Sequence, residues 1–212
     1  VIATFGRQSL IADAAHIRQA TRRGRRGDVV VGDCVLATAT SADQARIESI
    51  EPRSTLLFRA DQYRVKELAA NVDQVIIVFA ARPAFNRWFI WKALVAASAA
   101  GIDALVLRNK SDLAESDDAH AFLQQISLLG WRTLALSAKV DSERSRELLM
   151  REVAGRKTLM VGQSGMGKST LLNLLIPDAG ARTREYSERL NAGKQTTTAS
   201  RCIGKSRGRT AS

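Results

Sequence analysis

The amino-acid sequence predicts an α/β protein in two parts, a small β-rich barrel followed by a doubly wound parallel sheet. Three observations carry this expectation. Short segments separated by Gly24, Gly27, Gly32 and Pro52 fill roughly the first seventy residues, a texture that suits strands better than helices. A continuous apolar run at 75–81 (VIIVFAA) then reads as a strand covered on both faces. From there strand-like and helix-like segments alternate four times, the pattern of a parallel sheet with crossover helices.

In the first part the strand candidates are residues 10–12, 29–31, 34–39 and 45–50. In the second, Pro83 closes the apolar strand, and residues 89–100, rich in Ala, Leu and Val, predict a helix that Gly101 stops. A strand at 104–107 follows, then a helix at 119–129 ended by Gly130, then a strand at 133–136. A helix at 142–153, a strand at 158–161 and a helix at 170–176 complete the series. Trp88 and Trp91, at helical spacing, are expected to be packing residues. No internal repeat is visible.

Composition narrows the function classes. The 212 residues carry a formal net charge of +11, which favours polyanionic partners such as RNA. No apolar stretch approaches the length needed to cross a bilayer, so a soluble, cytoplasmic protein with no membrane partner is expected, and it is taken to be a monomer. Cys34 and Cys202 lie far apart and belong to no Cys/His cluster, which argues against a zinc cage or a disulfide framework.

Gly162, Gln163, Ser164, Gly165, Met166, Gly167, Lys168 and Ser169 fit the phosphate-loop pattern, with an apolar strand before and a helical run from Thr170 after. Glycines let backbone N–H groups curl toward a phosphate while the helix start adds partial positive charge. Lys168 would reach the β- and γ-phosphates and the Ser169 hydroxyl would join a Mg²⁺ shell. Asn109, Lys110, Ser111 and Asp112 follow the strand at 104–107, at the sheet end where ligands bind. The Asp112 carboxylate can accept two hydrogen bonds from guanine, which adenine does not offer. Asn109 would support the loop, and the Lys110 stem would lie over the base. Ser137, Ala138 and Lys139 follow the next strand, where a backbone amide can donate to the guanine carbonyl oxygen. GTP and GDP are thus the expected ligands.

The base-reading loops precede the phosphate loop in this chain, an order that circular permutation permits. With these motifs, with Pro52 and Arg53, with residues 69–75, and with Gly193, Lys194, Gln195, Thr196, Thr197 and Thr198, the chain resembles the RsgA (YjeQ) family of circularly permuted GTPases of small ribosomal subunit assembly. The resemblance runs from near the start to about Thr198. It implies an OB-fold barrel over residues 1–70 that contacts ribosomal RNA and a permuted GTPase domain over 71–199. It also implies GTP hydrolysis in late maturation of the small subunit.

By the same resemblance, one of Thr196, Thr197 and Thr198 completes the Mg²⁺ shell, with Thr197 taken as the ligand. Gln195 stands where the family usually has histidine and could orient a water. Arg22, Arg23, Arg25 and Arg26 form a candidate RNA contact. Two departures stand out. The family's Asp-x-Pro-Gly loop is absent from this sequence, as are the ligands of its zinc domain, and residues 200–212 read as a disordered or non-native tail. The chain is accordingly read as a C-terminally truncated or frame-shifted form with an incomplete sheet, in which the strand at 158–161 becomes an edge. The alternative is a nucleotide-binding RNA module without hydrolysis.

Overall fold

The computed structural model describes residues 1–5, 8–13, 16–22, 29–60, 65–113 and 117–176. Two compact units divide the chain, one that includes Val1–Asn71 and one that begins at Val72.

The first unit contains a five-stranded sheet of β1 (Ala3–Phe5), β2 (Gln8–Ala12), β3 (Ile17–Arg22), β4 (Val35–Ala39) and β5 (Gln44–Ile50), in the order β1-β2-β3-β5-β4. All neighbours are antiparallel except β3 and β5, which run parallel. Five strands in which β5 returns beside β3 suit a partly open barrel of the OB type. Along β5 burial alternates, with Ala45 and Ile47 inside and Gln44, Arg46 and Glu48 outside, as a half-buried strand requires. A hairpin of β6 (Leu56–Ala60) and β7 (Val65–Ala70) follows.

Residues 29–31, expected as a strand, form none. Only an isolated bridge joins Val31 to Ala69, because Asp33 turns the chain back on itself. Its amide donates to the Val30 carbonyl and its carboxylate accepts from the Val30 amide at 2.9 Å. Gly32 lets this turn lie against β7: its φ is +92°, and an added Cβ would fall 2.0 Å from the Ala70 carbonyl oxygen. Buried Asp33 also accepts from Arg53, which reaches on to Glu67, and this pair of carboxylates raises the Arg53 pKa.

The second unit alternates strand and helix: β8 (Gln74–Phe79), α1 (Arg87–Ala99), β9 (Asp103–Arg108), α2 (Asp117–Leu128), β10 (Arg132–Ala135), α3 (Ser142–Val153), β11 (Thr158–Val161) and α4 (Lys168–Leu175). The sheet is parallel throughout, in the order β10-β9-β8-β11. Every residue of β8 is buried, as the apolar run from Val75 onward demands, and Gln74 is buried with it. The chain winds outward from β8 to β9 and β10, then crosses to the other side of β8 for β11. The switch point therefore lies between β8 and β11, the place where open α/β sheets bind ligands beyond their carboxyl ends. Among the described residues β11 is an edge of this sheet, and its four residues are half-buried.

Phe79, Phe85, Phe122 and Trp91 form an aromatic cluster beneath α1 and α2, with ring centroids 4.9–5.9 Å apart. Trp91 thus packs as expected. Trp88 does not: it is 73% exposed, because α1 turns Ile90, Leu94 and Ala97 inward and leaves Trp88 on the opposite face.

Candidate nucleotide site

The loop between β11 and α4 is shaped by close approaches that exclude a side chain. A Cβ on Gly162 would lie 2.4 Å from the Val78 carbonyl oxygen, and one on Gly167 would lie 2.2 Å from Asn109 Nδ2. Gly167 also has φ +89° and caps α4 without a side-chain hydrogen bond, so the cap itself offers no side chain to the first N–H groups of the helix. Met166 is buried and anchors the loop from below, while Ser164 and Gly165 are exposed. The ammonium group of Lys168 folds onto the loop, donating to the carbonyl oxygens of Gly162 and Gln163, each at 2.6 Å. Burial pushes its pKa down. Ser169 is exposed on the first turn of α4 and Thr170 is half-buried beside it.

Asn109 is the junction of the site. Only 2% exposed, it follows β9 and donates its backbone N–H to the Phe79 carbonyl at 2.8 Å. Its Nδ2 donates to the Met166 carbonyl of the phosphate loop at 3.0 Å. Its Oδ1 accepts from the Lys110 amide at 2.8 Å and the Ala138 amide at 3.2 Å. One residue, through its backbone and its side chain, thereby ties the ends of β8, β9, β10 and β11 together.

Lys110, at φ +57°, extends its amine to the carbonyl oxygens of Gly165 and Arg82, both at 2.9 Å. Asp112 is exposed and accepts from the Ser137 hydroxyl. Ser111 donates its amide to the Leu136 carbonyl at 3.2 Å. Ser137 and Ala138 are buried, and Lys139 is exposed. A polar cavity of about 210 Å³ adjoins Ser111 and Ser137.

Sequence reasoning singled out these loops but missed several supports. Gln163 accepts at Oε1 from the Asn86 amide at 2.7 Å, fastening the phosphate loop to the start of α1. The Lys110 amine reaches loop carbonyls, a contact that no spacing rule announces. Arg108, an unremarkable last residue of β9 in the sequence, is buried directly under the base-reading turn. Gln195, Thr196, Thr197 and Thr198 lie outside the described residues, as do Arg23, Arg25, Arg26 and residues 200–212. Arg22 ends β3 and lines a polar cavity of about 600 Å³ with Gln8, Gln19, Thr21, Gln44 and Arg46. Among the described residues no cluster of His, Cys, Asp and Glu could hold a metal ion, and no helix is long and apolar enough to cross a membrane.

Comparison with known proteins follows the same lines. The model of the RsgA GTPase family matches residues 50–210. This chain belongs to that family. Its relatives include the small ribosomal subunit biogenesis GTPase RsgA of Ralstonia nicotianae, 45% identical over 203 residues. The RsgA of Paraburkholderia phymatum is 46% identical over 204 residues. Each match covers 95% of this chain and 64% of the relative, so the chain spans less than two thirds of their length.

Among solved structures, YjeQ from Thermotoga maritima superposes with a TM-score of 0.62 at 28% identity, covering 84% of this chain and 64% of that one. YloQ, described as a circularly permuted GTPase, gives a TM-score of 0.59 at 24% identity over the same shares and attests the fold. The order of the motifs in this chain, base-reading loops before the phosphate loop, agrees with that description.

Proposed function

We propose that this chain binds GTP at the carboxyl edge of its parallel sheet, hydrolyses it to GDP and phosphate, and acts on the small ribosomal subunit late in its maturation. The observation that carries the reading is the placement of Asn109, whose side chain joins the phosphate loop to both base-reading loops. Asp112 would accept from the guanine ring N–H and amine, while the Lys110 stem covers the base. The Ser137 to Lys139 loop would present a backbone amide to the guanine carbonyl oxygen. Gly162, Gln163, Ser164, Gly165, Met166 and Gly167 would wrap the phosphates with their amides, and Thr170 would line the helix start.

Lys168 would leave the two loop carbonyls for the β- and γ-phosphates, exchanging neutral acceptors for charged ones. Ser169 presents an exposed oxygen next to that cation, a donor that fits a hard divalent ion. With Thr197 it would hold Mg²⁺, which when bound would neutralise charge developing on the phosphates. Gln195 would orient the attacking water for in-line displacement at the γ-phosphorus.

The first unit, read as an OB barrel over residues 1–70, would supply the ribosomal RNA contact. Amides, hydroxyls and guanidinium groups around the 600 Å³ cavity suit phosphate and sugar, and Arg22 there leads into Arg23, Arg25 and Arg26. The overall +11 charge supports the same partner, and a cytoplasmic site of action goes with it.

The test is phosphate release from GTP by the purified chain, alone and with small ribosomal subunits. Turnover that requires Lys168, rises with subunits and weakens steeply with added salt supports the reading. GTP binding without turnover in both conditions leaves the nucleotide-binding RNA module in its place.

A further inference from the structure

The turn that carries Asp112 rests on a buried charge that the reading above does not use. Arg108 closes β9 in the middle of the parallel sheet and is 4% exposed. Its Nη1 lies 3.3 Å from His120 Nδ1 on α2, and its Nη2 lies 3.5 Å from the Ser111 carbonyl oxygen. Its Nε has no hydrogen-bond partner among the described residues. Burial lowers its pKa and the nearby Asp117 charge opposes that shift. An apolar side chain at this position would avoid the desolvation of a charge.

A guanidinium donates and never accepts. His120 Nδ1 must therefore carry the lone pair, which places the ring proton on Nε2. The Gln124 amide nitrogen lies 3.0 Å from Nε2; with the amide rotated by half a turn, which leaves the shape of the side chain unchanged, its oxygen would accept that proton. Arg108 thus donates in two directions, to His120 Nδ1 and to the carbonyl of Ser111, the neighbour of Asp112.

We propose that Arg108, oriented by neutral His120, is a positioning residue for the guanine-reading turn, and that protonation of His120 loosens guanine-nucleotide binding. This rests on the assignment of Asp112 as the guanine acceptor. A protonated imidazole has no acceptor for Arg108 and sets a second cation against the first, so affinity falls as pH falls. Among the described residues, Asp117 on α2 attracts Arg108, Asp118 pairs with Arg87 of α1, Lys110 is held by the Gly165 and Arg82 carbonyls, and Asp112 by the Ser137 hydroxyl. The chain's other histidine, His16, belongs to the first unit.

The experiment is calorimetric titration of the 212-residue chain with GDP and Mg²⁺ at about pH 8 and about pH 6, beside His120→Gln, His16→Gln and Arg108→Leu. The nucleotide's own phosphate titration is common to all and cancels in the comparison. The wild type and His16→Gln should lose more affinity toward pH 6 than His120→Gln, which keeps a neutral acceptor and should match the wild type near pH 8. Arg108→Leu should melt no lower than the wild type yet bind GDP about tenfold more weakly, with no excess pH dependence. A structural role alone would lower melting temperature and affinity together. Identical pH profiles for the wild type and His120→Gln overturn the proposal, as does undiminished GDP affinity in Arg108→Leu. No GDP binding by the wild type near pH 8 overturns instead the reading on which the proposal rests.

Discussion

The two edges of the parallel sheet are built from different chemistry. At the amino edge, fully buried Gln74 donates to the Glu152 carbonyl at 3.0 Å and to Thr158 Oγ1 at 3.2 Å. It also accepts from Arg132 at 3.0 Å and Arg156 at 3.3 Å. Each of those arginines meets a carboxylate, Arg132 on Glu152 and Arg156 on Asp103. At the carboxyl edge the two lysines of the site stand on different partners. Among the described residues Lys168 and Lys110 donate only to backbone carbonyls, and the linking groups are the neutral amides of Asn109 and the bare backbone of Gly162 and Gly167. One edge is electrostatically closed and the other awaits an anion. Substitutions at the first should change stability, and those at the second should change binding and turnover.

The largest effect is expected from Lys168→Ala. Removing the cation aimed at the transferring phosphate should lower GTP turnover by about 10²- to 10³-fold, read by phosphate release. Stability should move the other way. Burial depresses the folded-state pKa of Lys168, so the folded chain holds this proton less tightly than the unfolded chain and the charge opposes folding at neutral pH. The alanine variant should melt at the same temperature or slightly higher, and its stability should gain less than that of the wild type as pH rises toward the ordinary lysine value of 10.5.

Gly167→Ala comes next. Its Cβ would overlap Asn109 Nδ2, and the residue would stay in the left-handed region, so the phosphate loop must part from the base-reading loops. A loss of about 2 kcal/mol or more in GDP affinity is expected by calorimetry, roughly thirtyfold. A variant that binds GDP like the wild type would show that the Asn109 junction is dispensable.

Asp112→Asn should weaken GTP by about 1–3 kcal/mol and improve the binding of xanthosine triphosphate, since one acceptor becomes a donor. Direct titration with both nucleotides measures this, and an unchanged preference would remove Asp112 from the base site.

Gln74→Leu gives the smallest effect and probes the opposite edge. The Glu152 carbonyl and the two arginines lose a partner, and chemical denaturation should show a loss of about 1–2 kcal/mol. GDP affinity should be unchanged. A change in affinity as large as the change in stability would erase the distinction between the edges.

How far the sequence discloses each region follows from the same physics. β8 was legible because its buried positions 75–79 belong to an unbroken apolar run, and α3 matched residues 142–153 because Leu149 and its polar neighbours keep helical spacing. The first unit was harder. β3 reads IRQATR and β7 reads VKELAA, strands with too few large apolar residues to alternate visibly, and both are held by their neighbours in the sheet or hairpin. Residues 29–31 erred the other way, since local apolar content says strand while the Asp33 side chain imposes a turn.

In the site, the glycines and Lys168 are dictated by close approach and charge, so the pattern names them in advance. The roles of Arg108, Asn86 and Gln163 depend on contacts between residues 12 to 77 positions apart, which no local pattern records.

The most direct test of the carboxyl-edge site is competition for a fluorescent GDP analogue bound to the chain with Mg²⁺. Convergence of Asn109, Asp112 and the phosphate loop on one ligand predicts that GTP displaces the analogue while ATP fails at about a hundredfold excess. Equal displacement by ATP and GTP would contradict it.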